Sequence, residues 1–146
     1  MMTIEDRATT NPNAWVEQQI QDYLENDGRN TGHPAGDNLV LLYSTGRTSG
    51  EIRRVALGAV PYEDSMLLIA AAGGSPKEPQ WYKNLVADPT VWIRKQTDLY
   101  EATATVLDGA DRDAAWNYVT SQIPVVADYE RTAGRQIPLV RIDRNN

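Results

Sequence analysis

Short apolar segments follow one another at hairpin spacing along most of this chain, and that spacing excludes most architectures. Leu39 to Ser44 is a continuous apolar run of strand length. Val55 to Val60 and Met66 to Ala71 follow, joined by a polar turn at Glu63-Asp64-Ser65. Val91 to Arg94 is β-branched, and the turn Gln96-Thr97-Asp98 leads from it into Tyr100 to Val106. There Tyr100, Ala102, Ala104 and Val106 alternate with Glu101, Thr103 and Thr105, the period of a half-buried strand. Ile137 to Ile142 is the last strand, with Pro138 marking a strand start or an edge. A doubly wound parallel sheet needs a helix between successive strands, and that alternation is missing. The expected fold is mainly β with helices: about six antiparallel strands in a barrel or tightly curved sheet.

Helical spacing fills the gaps. Residues 1–11 are polar and read as a disordered lead-in. Pro12 suits a first helical turn with Asn11 as its cap, which predicts a helix over 12–27. Val16, Ile20, Tyr23 and Leu24 share one face of it, and Gly28 stops it. Pro79 opens a short helix through Trp81 and Leu85, ended by Asp88-Pro89. Asp111 is the expected cap of another, with Trp116, Val119 and Ile123 on one face and Pro124 closing it. Val125 to Thr132 reads as a further helical turn. With no repeat and no linker, residues 1–146 are expected to form one domain.

The charge narrows the function. A net charge of -6 and a pI near 4.7 argue against nucleic acid and against an anionic membrane. The chain has no Cys, and His33 is its single His, so thiol chemistry is excluded and no metal site is expected. No apolar run reaches the roughly 20 residues of a spanning helix. A cytoplasmic location is the default, with peripheral membrane contact left open. No Gly-x-Gly-x-x-Gly follows a strand, so no dinucleotide-binding turn is indicated.

Four segments carry candidate chemistry. Gly46 to Arg54 crowds Arg47, Arg53 and Arg54 beside Thr48 and Ser49, in a chain with 14 basic and 20 acidic residues. Flanking glycines let backbone N–H groups turn toward an anion, and the arginines offer bidentate forks. An ordinary solvated hairpin turn is the competing reading. Ala70-Ala71-Ala72-Gly73-Gly74 ends a strand in small residues, against which a flat ring can lie; a flexible strand exit competes. Pro79-Gln80-Trp81-Tyr82-Lys83-Asn84-Leu85 presents a helix start, with Trp81 and Asn84 on one face; a core Trp competes. Asp128-Tyr129 precedes the last strand, where Tyr129 lines a pocket or merely packs.

In this order, and with Ile137-Pro138-Leu139-Val140 at the end, these segments resemble the deazaflavin-dependent nitroreductase family of actinobacteria. Its members use coenzyme F420 and are often called F420-dependent quinone reductases. The resemblance runs from about Asn38 to Arg141 and implies a split β-barrel similar to flavin-mononucleotide-binding oxidases. It implies that Arg47, Thr48, Ser49, Arg53, Arg54 and Val55 hold the phosphate and glutamate tail of the cofactor. By the same carry-over Ile69, Ala70, Ala71 and Ala72 lie along the deazaflavin ring. Gln80, Trp81 and Asn84 close the cofactor site, Asp128 is a further cofactor-binding candidate, and the segment around Tyr129 lines the substrate side. Tyr129 is the candidate catalytic residue, as a donor to the developing anion of the acceptor.

The chain departs from that pattern. Thr48 stands where a Lys is common, and Ala71-Ala72 where Ser-Lys is common. Ile123-Pro124-Val125-Val126-Ala127-Asp128-Tyr129 keeps only the last Tyr of a tyrosine-rich pattern. These departures point away from nitroreduction and toward a quinone-like or other apolar acceptor. The expected activity is hydride transfer from reduced coenzyme F420 to such a small molecule. The alternatives are a flavin-mononucleotide (FMN) enzyme, a non-catalytic deazaflavin carrier, or a structural barrel with a protein partner. Neither nucleic acid nor stable membrane insertion is expected, and a homodimer is left open.

Overall fold

The computed structural model describes residues 2–146. Its strands are β1 (Leu39–Thr45), β2 (Ile52–Tyr62), β3 (Ser65–Ile69), β4 (Thr90–Lys95), β5 (Asp98–Val106) and β6 (Leu139–Arg144). They close into an antiparallel barrel in the order β1-β2-β3-β6-β5-β4, with β4 returning to pair with β1. The helices are α1 (Ile4–Arg7), α2 (Ala14–Glu25), α3 (Gln80–Ala87), α4 (Gly109–Gln122) and α5 (Val125–Ala133).

β1 is apolar without alternation because both of its faces are covered. Val40 and Leu42 join Leu68, Val91, Ile93, Ala102, Val140 and Ile142 in one cluster, with Leu85 of α3. Leu39, Leu41 and Tyr43 pack with Ile52 and with Ile20 and Tyr23 of α2. A third cluster sets Ala115 and Val119 of α4 and Val126 of α5 against Val60, Leu67 and Leu139. β5 has one covered face, and Ala102 and Ala104 are buried between exposed Glu101, Thr103 and Thr105. The alternation stops early, since Val106 is exposed at the strand end.

Tyr23 ties α2 to the barrel. Its hydroxyl donates toward the Leu39 carbonyl (3.1 Å) and accepts from the Gln96 N–H (2.7 Å). Gly28 follows with φ +72°, and a Cβ there would lie 2.5 Å from the Tyr23 ring. Only glycine meets both conditions, so Gly28 lets the loop close over Tyr23.

Several expectations are corrected. Residues 2–11 are not a disordered lead-in. Thr3 and Asp6 cap α1 reciprocally, Ala8 bridges to Ile52, and the Thr9 N–H donates to the Ile52 carbonyl (2.8 Å). This polar segment satisfies its own backbone and then pairs with β2, so it needs no apolar face to be placed. Met1 lies outside the described residues. The cap of α2 is Asn13, whose side chain accepts from the N–H groups of Trp15 and Val16, while Asn11 caps Asn13 in turn. α4 opens at Gly109 after Asp108, ahead of Asp111. β6 is paired on both sides, so Pro138 marks a strand start and not an edge.

Candidate active site

The turn from β1 to β2 is a closed unit. The Gly46 N–H donates to the Glu51 carbonyl (2.7 Å), and the Gly50 N–H donates to the Gly46 carbonyl (2.8 Å). Ser49 Oγ accepts from the Glu51 N–H (3.1 Å). A Cβ on Gly46 would stand 2.8 Å from that Oγ, so the turn needs glycine there. The backbone donors of Gly46, Gly50 and Glu51 are spent inside the turn and do not converge on an anion. Arg47, Thr48 and Ser49, exposed at the tip, carry the side-chain donors left to face the cavity.

Arg47 locks the turn to α3. Its N–H (3.2 Å) and Nη1 (2.8 Å) donate to Asn84 Oδ1, and its Nη2 donates to Gln80 Oε1 (2.7 Å). Asn84 is itself buried on the inner face of α3. Both acceptors are neutral amides, so among the described residues the Arg47 charge has no carboxylate partner.

Arg54 is treated differently. In register it faces Tyr43 on β1. Its side chain is 8% exposed, and Nη2 pairs with Glu17 at 2.8 Å while Nη1 pairs with Glu5. Its Nε is buried without a partner. Glu5 also accepts from the Tyr43 hydroxyl. Burial, reinforced by Glu5, pushes that hydroxyl well above its ordinary pKa. For Glu17, burial works upward but is outweighed by hydrogen bonds from the Asn11 N–H and Gln21 and by the Arg54 charge, and its pKa is lowered. Arg53, next to it, pairs with Glu51 at 3.2 Å and donates to Thr9 Oγ1 (3.3 Å).

These elements wall a cavity of about 530 Å³. Arg47, Thr48, Ser49, Arg53, Arg54, Val55, Gln80, Trp81 and Asn84 all line it. So the turn and the α3 residues, far apart in sequence, meet at one place. Ser44, Asn11 and Pro12 line it too, and sequence reasoning missed them. Ser44 was hidden inside an apolar strand. Asn11 and Pro12 carry only the signals of a helix start. Glu5 and Glu17 were missed because nothing local announces a carboxylate that pairs across the fold.

The remaining candidates lie elsewhere. Ile69, Ala70, Ala71 and Ala72 do not line this cavity. Ala70 and Ala71 are buried, Ala71 packing with Ala133 and Ile137, and the Ala70 N–H donates to the Pro138 carbonyl (3.0 Å). Their carbonyls, with those of Ser75 and Lys77, accept from the Arg135 guanidinium. Tyr129 is half-buried, its ring against Gly74, and Asp128 pairs with Arg131 on the surface. His33 belongs to a separate cavity with Trp15, whose indole is 73% exposed. No helix among the described residues is long and apolar enough to cross a membrane.

The sequence and the fold have counterparts among known proteins. The F420H(2)-dependent quinone reductase family matches residues 15–144. An F420H(2)-dependent quinone reductase of Mycobacterium tuberculosis is 32% identical over 127 residues, covering 84% of this chain and 85% of its own length. The solved structure of an F420-H2 dependent reductase is 33% identical with a TM-score of 0.65, over 73% of this chain and 94% of that one. A second solved structure, described only as a domain-swapped dimer, is 31% identical with a TM-score of 0.68, over 91% of this chain and 100% of that one. A match spanning nearly all of the barrel, the turn and α3 leaves no ambiguity of kinship, and the chain belongs to the F420H(2)-dependent quinone reductase family.

Proposed function

We propose that this chain uses reduced coenzyme F420 to reduce a quinone-like acceptor, and that the cavity between the turn and α3 receives the cofactor. The observation that carries this is the lock of Arg47 onto Asn84 and Gln80. It joins two of the segments that carry the family resemblance and leaves a guanidinium charge without a carboxylate partner among the described residues at the cavity mouth. The residues present fit an anionic flavin-type group. Arg47 lacks a carboxylate partner among the described residues, Arg54 Nε is a buried donor without an acceptor, and Trp81 adds an aromatic wall.

When bound, the deazaflavin supplies the hydride chemistry, and the protein supplies position and field. Arg47, Thr48 and Ser49 bind the anionic part, since they are exposed at the mouth and carry donors. Asn84 and Gln80 orient the Arg47 fork before any ligand arrives, which lowers the ordering cost of binding. Val55 and Trp81 exclude water from the inner end. No side-chain nucleophile is required, in keeping with a chain that has no Cys. Tyr129, Asp128 and the stretch Ile69 to Ala72 remain assigned, by resemblance alone, to the acceptor and ring sides beyond this cavity.

The test is oxidation of reduced F420 against a panel of quinones, with parallel fluorescence titration of F420 and FMN. Turnover with a quinone and preferential F420 binding are expected. Tight FMN binding with no F420 binding would overturn the assignment. F420 binding without turnover on any acceptor would leave a carrier instead.

A further inference from the structure

The arginines of this cavity differ in what neutralises them. Arg53 has Glu51 at 3.2 Å. Arg54 has both Glu5 and Glu17, so that one buried guanidinium faces two carboxylates; these stand behind the cavity lining, which includes Arg54 but neither glutamate, and leave that cluster with one excess negative charge. Arg47, at the exposed mouth, is held by amides only. The second carboxylate is not required to satisfy the other: Glu17 already accepts from the Asn11 N–H and from Gln21 as well as from Arg54. Glu5 arrives from α1, which lies outside the barrel and is fastened by its own caps and the Ala8–Ile52 bridge.

We propose that Glu5 is a specificity-determining residue. With Glu17 it turns the Arg54 wall negative, and so confines the anionic group of the bound ligand to the Arg47 mouth and disfavours ligands with additional negative charge. This rests on the reading that the cavity takes an anionic cofactor. Two charges separated by partly buried protein interact far more strongly than in water, so one excess carboxylate is felt across a cavity of this size. The Arg54 Nε is buried without an acceptor, so the guanidinium offers the cavity no exposed charge beyond what the two carboxylates already offset. A purely structural Glu5 that only seats Arg54 would affect stability and leave charge selection untouched.

The test uses the full chain and two forms of coenzyme F420, one with a single tail glutamate and one with several, titrated by fluorescence at low and high salt. Glu5→Gln keeps an acceptor for Arg54 and for Tyr43 while removing the charge. It should tighten binding of the longer-tailed form about threefold to tenfold more than of the shorter one at low salt, and that gain should shrink as salt screens it. Glu17→Gln should act in the same direction and serves if Glu5→Gln does not fold. An unchanged ratio of the two affinities in the folded variants overturns the proposal. So does weaker binding of both forms, which would make Glu5 a part of the binding surface. No binding of either form to the wild-type chain would sink the cofactor reading, and this inference with it.

Discussion

Arg47 and Arg54 bracket the same hairpin, and both line the same cavity, yet their surroundings are opposite. Arg54 is enclosed, held by two carboxylates and by β1, and its removal would strand those carboxylates. Arg47 is exposed and held by two neutral amides, so its charge stays available. A cation with a buried counter-charge is committed to the fold's own ion pairs, whereas a cation positioned by neutral acceptors keeps its charge uncompensated. A motif alone does not separate the two, because the difference lies in residues contributed by α1, α2 and α3.

The contrast can be broken most decisively at Arg54. Arg54→Ala leaves Glu5 and Glu17 facing each other without a cation, and should lower unfolding stability by about 3 kcal/mol. Urea denaturation reads this directly; a loss under about 1 kcal/mol would mean that the pair behaves as a surface one. Arg47→Ala should do the reverse. Stability should move by less than about 0.5 kcal/mol, while F420 binding at low salt weakens by about 1.5–3 kcal/mol, the worth of a charged hydrogen bond. Equal F420 affinity in the two proteins would remove Arg47 from the site.

The Arg54 side also has a pH signature. The folded pKa of Glu17 is lowered, so its contribution is complete above the ordinary glutamate value of about 4.3 and is lost as pH falls through the folded value. Glu17→Gln should flatten the stability profile in that acid window and leave its slope at neutral pH unchanged. The same slope in both proteins below that value would refute the linkage. Arg53→Ala should have the smallest effect. Its pair with Glu51 is exposed on both sides, so screening leaves less than about 0.5 kcal/mol of stability. Its effect on F420 affinity should fall short of that of Arg47→Ala, because Glu51 already neutralises it.

Much of the barrel was legible because strand period and turn chemistry are local signals. β1 read as a buried strand from its unbroken apolar run, and β5 from its alternation, and both are so placed. The Gly46 turn and the Pro79 helix were legible as candidates, and the cavity joins them. What could not be read is long-range. The lead-in looked disordered because polar residues give no packing signal, yet Glu5 meets Arg54 across 49 positions of sequence. The small residues after β3 suggested an open platform. Ala72 and Gly73 are exposed, but Ala70 and Ala71 are buried: Ala133 of α5 packs on Ala71, and the Arg135 guanidinium takes the carbonyls of both.

That Arg135 fork has a mechanical consequence. It stands just past the left-handed cap Gly134 of α5 and gathers carbonyls from Ala70 to Lys77, the segment that delivers the chain to α3. Ala72, Gly73 and Gly74 all hold positive φ there, so the segment has little regular structure of its own to retain its shape. In hydrogen exchange its amides should therefore open together with the last turn of α5, and not with β3, which the barrel ladders hold shut. The approach to Trp81 and Asn84 is in this sense hinged on the far end of the chain.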